Sequence, residues 1–162
     1  MTIITVTAPE QRLSLAQRRQ LAKTLTDAVL EPEVGQPAPA ARAGFQVHFR
    51  ELPADCMAIG GELLSDQKSP RDIMTVNIAV MDAAWPAQVR ESVIRGVLAR
   101  LAEACDMQKP SPNWWATFQI IDEGSWGSRG GVVSILQLLD SGAFTAERIR
   151  AIRDAIPAPR SS

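Results

Sequence analysis

The chain has 162 residues, of which 17 are basic and 18 are acidic, so its net charge is −1. The charges nearly cancel and form no basic run, which argues against a nucleic-acid partner. The apolar stretches have the length of strands, so the sequence predicts no membrane-spanning segment.

The length suits one domain with a sizeable core. The N-terminal residues lack the charged start and long apolar core of a signal peptide, and we expect a cytoplasmic protein. Cys56 and Cys105 are the only cysteines and His48 is the only histidine. They form no pattern typical of a metal site, so we expect free thiols, no metal and no cofactor.

The first half predicts a strand, a helix and a second strand. The β-branched run at residues 2–7 indicates a strand. Ser14 and Gln17 form a capping-box pattern, and a helix with apolar residues at helical spacing follows it. Residues 31–44 are rich in Pro, Gly and Ala and predict a long loop. Apolar and polar residues then alternate over 45–50, which predicts a strand with one polar face.

The second half repeats this order. Residues 73–81 predict a strand, and Pro86 suits the first position of a helix that ends near Cys105. Residues 115–121 predict the next strand. A final amphipathic helix is expected to begin near Thr145 and to span 145–156.

Segments 45–63 and 118–135 resemble each other. Each begins Phe-Gln, contains a Glu (Glu51, Glu123) and continues into a Gly-Gly pair that predicts a tight hairpin. We read both glutamates as structural. The repeat predicts a duplicated βαβ unit with pseudo-repeats at 2–66 and 72–141 inside one domain spanning 1–162. The predicted fold class is α/β (α+β), with a four-stranded mixed sheet and two helices on one face. The other face would be buried by oligomerisation.

These residues resemble the tautomerase superfamily. Residues 2–4 are similar to the Pro-Ile start of 4-oxalocrotonate tautomerase, Arg12 matches an arginine after the first strand, and Glu51 to Leu63 aligns without a gap. The fused arrangement resembles the two-unit members: macrophage migration inhibitory factor, malonate semialdehyde decarboxylase and cis-3-chloroacrylic acid dehalogenase. The resemblance implies a homotrimer and a small carboxylate or carbonyl substrate.

In that superfamily the N-terminal proline is the base, and arginines bind the substrate carboxylate. The chain has Thr2 at the proline position, so the catalyst would be a primary amine if Met1 is removed. The resemblance implies that Arg12 binds the carboxylate. Gln46 stands where the family has its second arginine, and Met57 where it has a pocket phenylalanine.

Three further residues are candidates for substrate binding. His48 shares a strand face with Gln46, and we interpret it either as a trimer-core residue or as a substitute acid or base. Trp126 and Arg129 lie in one glycine-rich turn. We interpret Trp126 either as a pocket wall or as a packing residue, and Arg129 either as a replacement cation or as a surface charge.

The sequence therefore favours a keto–enol isomerase acting on a small, acidic carbonyl compound. Two alternatives stay open: a non-catalytic ligand-binding or structural trimer, and a decarboxylase of a β-keto acid. The residues after the third strand lack the arginine pair of the dehalogenases, which argues against dehalogenation.

Overall fold

Two strand–helix–strand units lie side by side in one sheet. The computed structural model describes residues 1–156. The strands are β1 (Thr2–Pro9), β2 (Phe45–Leu52), β3 (Ala58–Ile59), β4 (Glu62–Leu63), β5 (Met74–Met81), β6 (Trp114–Ile121), β7 (Gly127–Ser128) and β8 (Gly131–Val132). The helices are α1 (Leu15–Val34), α2 (Ala87–Ala104), α3 (Ile135–Leu138) and α4 (Ala146–Ala155).

The main sheet has the strand order β2-β1-β5-β6. Within each unit the two long strands are parallel, and the two units meet where β1 runs antiparallel to β5. Parallel pairing follows from the helical crossover within each unit. The predicted four-stranded mixed sheet is confirmed.

One face of the sheet forms the core with α1 and α2. Side chains alternate along β1 and β5, and the inward residues are almost fully buried. The central core residues come from these two strands and the two helices: Ile4, Val6, Val76, Ile78, Val80, Leu21, Leu25, Val29, Val93, Val97 and Leu101. The helices approach closely at Gly96, where an added Cβ would lie 3.5 Å from the Cβ of Ala28. Both helices therefore cover the same face.

The predicted loop at 31–44 is wrong in its first part. Helix α1 continues through Pro32 to Val34 and ends at Gly35, whose φ of 83° gives a left-handed cap. Pro32 has no amide to pair with the Ala28 carbonyl, and the glycine cap and the contacts of this end with the start of α4 hold the last turn despite that loss. Residues 39–44 form a short 3-10 helix rather than an open loop.

The other predicted boundaries agree to within a residue or two. Pro86 is the N-cap of α2 rather than its first residue, and Cys105 is the C-cap. The side chain of Thr145 caps α4, which ends at Ala155 with Ile156 as its C-cap. No helix in the described part of the chain is both long and apolar enough to cross a membrane.

The repeat has a different register from the one that the sequence suggests. The structure pairs Phe45 with the start of β1 and Trp114 with the start of β5, which makes Phe49 the counterpart of Phe118. The Phe-Gln match is thus displaced by four residues. An even displacement keeps each side chain on its predicted face, because side chains alternate with a period of two.

Both glycine-rich segments form the expected hairpins, but their turns differ. In the first hairpin Gly60 and Gly61 occupy the turn, and both have positive φ. In the second the turn is Arg129-Gly130, and Gly131 already belongs to β8. Turns that need positive φ at both positions favour glycine, so Arg129 (φ 53°) holds a backbone conformation that is uncommon for a side-chain-bearing residue.

The second face of the sheet is open in the protomer. The outward residues of β2 and β6 are exposed, and Trp115 is 58% exposed. Asn77 and Thr117 share a hydrogen bond of 3.1 Å across this face. The outward residues along the middle of the sheet are polar, and Trp115 adds a large apolar surface at one end, in register with Thr75, Thr7 and Arg50.

Candidate functional site

The two residues expected to carry catalysis lie at opposite ends of the protomer. Thr2 opens β1 and Arg12 follows the turn after Pro9. At about 3.3 Å per residue the strand alone separates its ends by roughly 23 Å. Within one protomer, the structure therefore does not bring Thr2 and Arg12 together.

Arg12 is held by neighbouring side chains. Its guanidinium makes two hydrogen bonds to the carboxylate of Asp72, at 2.7 and 2.8 Å, and lies over the ring of Trp114 at 5.6 Å. A third donor points to Cys105 Sγ at 3.4 Å. The bond to Asp72 raises the pKa of Arg12. Such bidentate pairing uses the donors that would otherwise bind a substrate carboxylate.

A cavity of about 200 Å³ lies at the other end of the sheet, beside Met1. Its walls come from α1, the segment before β2, and the segment from α3 to the start of α4. The lining residues are mostly apolar: Met1, Leu30, Glu33, Val34, Ala40, Ala41, Gly44, Phe45, Ile135, Leu138, Ser141, Ala143 and Phe144. The volume is below the range for drug-sized ligands, so the cavity could hold only a small organic molecule, and its lining is apolar.

Two titratable groups meet at this cavity. Burial lowers the pKa of the Met1 amino group below its ordinary 8.0, although the Glu33 carboxylate opposes the change. Burial also raises the pKa of Glu33 from 4.5 to about 7, against the effect of the amino terminus and Arg148. Both shifts favour the uncharged forms, as expected where water is excluded.

The C-terminal segment closes this end of the molecule. Arg148 in α4 donates hydrogen bonds to the backbone carbonyls of Glu33, Ala83 and Ala84. The Thr145 amide donates to the carbonyl of Val34 at 2.9 Å. The bonds to Glu33 and Val34 satisfy carbonyls left free at the end of α1. Helix α4 is thereby fixed against the wall that carries Glu33.

The two ends of the sheet are partly equivalent. Matching the caps Ser14 and Pro86 of the two long helices places Ala84 where the first unit has Arg12. Arg148 reaches the Ala84 carbonyl from α4. The end of the sheet beside Met1 thus has an arginine from outside the repeat, bound to backbone carbonyls.

The side chain of Thr2 faces the core. It is 1% exposed, and its hydroxyl has no hydrogen-bond partner among the described residues. Gln46 and His48 lie on the open face, as predicted, and their side chains are in contact at 3.1 Å. Gln46 pairs with Ile3 in the sheet, so it is near the amino-terminal end but on the opposite face from the Thr2 side chain.

The remaining candidates are divided between the two ends. Met57 is buried at the Arg12 end, where it lines a second cavity with Trp115. Trp126 and Arg129 follow β6 at the Met1 end, with Trp126 packed on the core and Arg129 exposed at the hairpin tip. Matching hydrogen bonds close the two hairpins at Met57 and Trp126, so these two residues are structural counterparts.

Glu51 and Glu123 are not counterparts, because Glu51 lies within β2 and Glu123 lies beyond the end of β6. Each carboxylate accepts a hydrogen bond from a backbone amide near the start of a helix, Glu51 from Gln11 and Glu123 from Ile135. These contacts agree with a structural role for both residues.

The sequence reasoning missed Glu33 and Arg148. Glu33 continues the spacing of the buried residues Leu25 and Val29, at intervals of four. Arg148 has the same relation to Ile152 in α4. A charged residue on the apolar stripe of a helix indicates a buried charge and could have identified both residues. For Glu33 this pattern was missed because residues 31–44 were predicted to be a loop.

No protein-family model and no curated protein sequence matches the chain. Solved structures do match. A fused 4-OT, wild type, solved as a symmetric trimer is 17% identical over 86% of this chain and 98% of its own, with a TM-score of 0.64. A member of the cis-3-chloroacrylic acid dehalogenase family is 16% identical over 94% and 99%, with a TM-score of 0.67.

A macrophage migration inhibitory factor from Toxoplasma gondii is also similar, at 16% identity over 81% of this chain and 99% of its own, with a TM-score of 0.59. All three align over nearly their whole length. The chain therefore has the fold of the tautomerase superfamily, which confirms the fold that the sequence resemblance implied.

Proposed function

We propose that this chain is a keto–enol tautomerase that acts on a small, acidic carbonyl compound in the cavity beside Met1. One observation carries the proposal: an amino group of lowered pKa lies at an apolar cavity large enough for such a molecule. A neutral amine can take a proton from the carbon next to a carbonyl, and desolvation keeps a larger fraction of it neutral near pH 7.

We also propose a homotrimer. The open sheet face carries the partly exposed Trp115 and has no covering element within the described residues. A similar fused 4-OT was solved as a symmetric trimer. Burying this face between copies would remove the Trp115 side chain from water.

The test is an enol–keto assay with phenylpyruvate on the wild-type protein and on Thr2→Pro, after mass spectrometry has identified the N-terminal residue of each. If Thr2→Pro loses Met1, the terminal amine moves by one strand residue, about 3.3 Å, and becomes a rigid secondary amine. We expect at least a tenfold rate increase, which requires the activation barrier to fall by only about 1.4 kcal/mol.

The control is a wild-type chain with two extra residues retained before Met1. The extension moves the free amine out of the cavity, so tautomerase activity should fall to the background rate. Full activity in the extended protein would contradict the proposed role of the amine.

A second candidate is a non-catalytic ligand-binding trimer. It is favoured by the pairing of Arg12 with Asp72, which leaves that arginine committed within the protein. It is also favoured by the cavity lining, where Glu33 supplies the only titratable side chain among the described residues. Ligand binding in the cavity with no turnover by wild type or Thr2→Pro would support this candidate.

A further inference from the structure

Glu33 has an environment that packing alone does not explain. Glu33 is only 3% exposed, lies on the buried stripe of α1 and lines the cavity beside Met1. Within residues 1–156 no amino or guanidinium group comes within ion-pair distance of its carboxyl. The Met1 amine contacts Met81 Sδ at 3.6 Å, and Arg148 donates to backbone carbonyls.

A buried carboxyl without a close cation is expensive to keep ionised. The C-terminal end of α1 adds to this cost, because the helix dipole disfavours a negative charge there. The charged groups that face Glu33 are the amino group of Met1, the residue before β1, and the guanidinium of Arg148 in α4. The pKa of Glu33 nevertheless rises to about 7, so a large fraction of the carboxyl is protonated at neutral pH.

We infer that Glu33 is the general acid of this cavity and protonates the carbonyl oxygen of the substrate while the terminal amine removes a proton from the adjacent carbon. The inference rests on the proposed tautomerase function. It assigns to a carboxylic acid the polarisation of the carbonyl that an arginine would otherwise provide. A protonated carboxyl can donate a hydrogen bond, and an uncharged one does not repel an anionic substrate.

The proposed step balances without any other reactant. The amine nitrogen takes the carbon-bound proton, and the electrons of the broken C–H bond form the new C=C bond. The carbonyl π electrons move to oxygen, which takes the proton of Glu33 to give the enol. The products are an ammonium and a carboxylate lining the same cavity. Transfer of one proton between them restores the starting state.

The test compares Glu33→Gln and Glu33→Asp with the matched control Glu31→Gln in the full-length chain. Glu31 is an exposed carboxylate two residues earlier on the same helix and does not line this cavity. The assay measures kcat and KM for phenylpyruvate tautomerisation from pH 5 to pH 9. Circular dichroism and sedimentation verify that each variant keeps the wild-type fold and mass.

We expect Glu33→Gln to lower kcat by about 10²–10⁴-fold, the usual effect of removing a general acid, with KM changed less than about threefold. Wild-type kcat should fall above about pH 7, and this decrease should be absent from the residual activity of Glu33→Gln. Glu33→Asp should retain an intermediate rate and the pH dependence. Glu31→Gln should match wild type.

Three results would overturn the inference in different ways. An active wild type whose Glu33→Gln variant keeps the same kcat and pH profile removes Glu33 from the chemistry but leaves the tautomerase function standing. A wild type without tautomerase activity rejects both. A variant in which only KM rises would make Glu33 a binding residue, which also contradicts a role as the acid.

Discussion

Replacing Glu33 by Gln should stabilise the protein, and the gain should depend on pH. Glutamine has nearly the same shape but cannot ionise. The folded state raises the pKa of Glu33 from 4.5 to about 7, so between these values the folded chain holds more protons than the unfolded chain. Raising the pH through this range therefore lowers the stability of wild type relative to the variant.

The magnitude follows from the shift. About 2.5 pKa units at about 1.36 kcal/mol each give a difference on the order of 3 kcal/mol between pH 4 and pH 8. For a chain of this size that corresponds to about 6–12 °C in Tm. The Met1 amine is present in both proteins, so to first order its own titration cancels in the comparison.

Scanning calorimetry between pH 4 and pH 8.5 would measure the effect, at one fixed protein concentration because assembly would also change Tm. Glu31→Gln, which alters an exposed carboxylate, should show a nearly constant difference from wild type. A constant difference for Glu33→Gln as well would refute the reasoning. So would a variant that is less stable than wild type at high pH, since Glu33 would then be a stabilised carboxylate.

The other predictions concern the helix cap, the ion pair and the open face. Gly35→Ala should lose about 1–2 kcal/mol more stability in thermal unfolding than Gly142→Ala. Both glycines have positive φ, but only at Gly35 would the new Cβ meet another atom, Thr145 Oγ1 at 2.7 Å. Equal losses would contradict a tight contact with α4. Arg12→Ala should lower the free energy of unfolding by about 1–3 kcal/mol because it leaves Asp72 unpaired. If Asp72→Asn instead binds a carboxylate more tightly in calorimetric titration, Arg12 is an anion binder. Trp115→Glu should reduce the sedimentation mass from trimer to monomer; an unchanged mass would place the interface elsewhere.

Much of the fold could be predicted because its signals are local. The β-branched run of β1, the capping box at Ser14 and the cap at Thr145 each specify an element from a few neighbouring residues. The chain departs from prediction where packing overrides a local rule. Pro32 would normally end a helix, yet the glycine cap and α4 hold the last turn in place.

The candidate site was less predictable because it depends on long-range contacts. Nothing near Arg12 in the sequence identifies Asp72, sixty residues away, as its partner. Likewise, the helix end that carries Glu33 is held by Arg148, which lies 115 residues later and donates to the Glu33 backbone carbonyl. The antiparallel pairing of β1 with β5 adds a further step, since it brings the start of one unit beside the end of a strand in the other.

The junction between the two units has a consequence for how the chain could be divided. The units meet through the ladder of β1 with β5 and the packing of α1 on α2, while residues 67–73 connect them outside every strand and helix. A cut within 67–69 leaves every strand and helix whole and the ion pair of Arg12 with Asp72 available across the break. Co-expressed fragments should therefore complement each other, with each half acting as the template for the other.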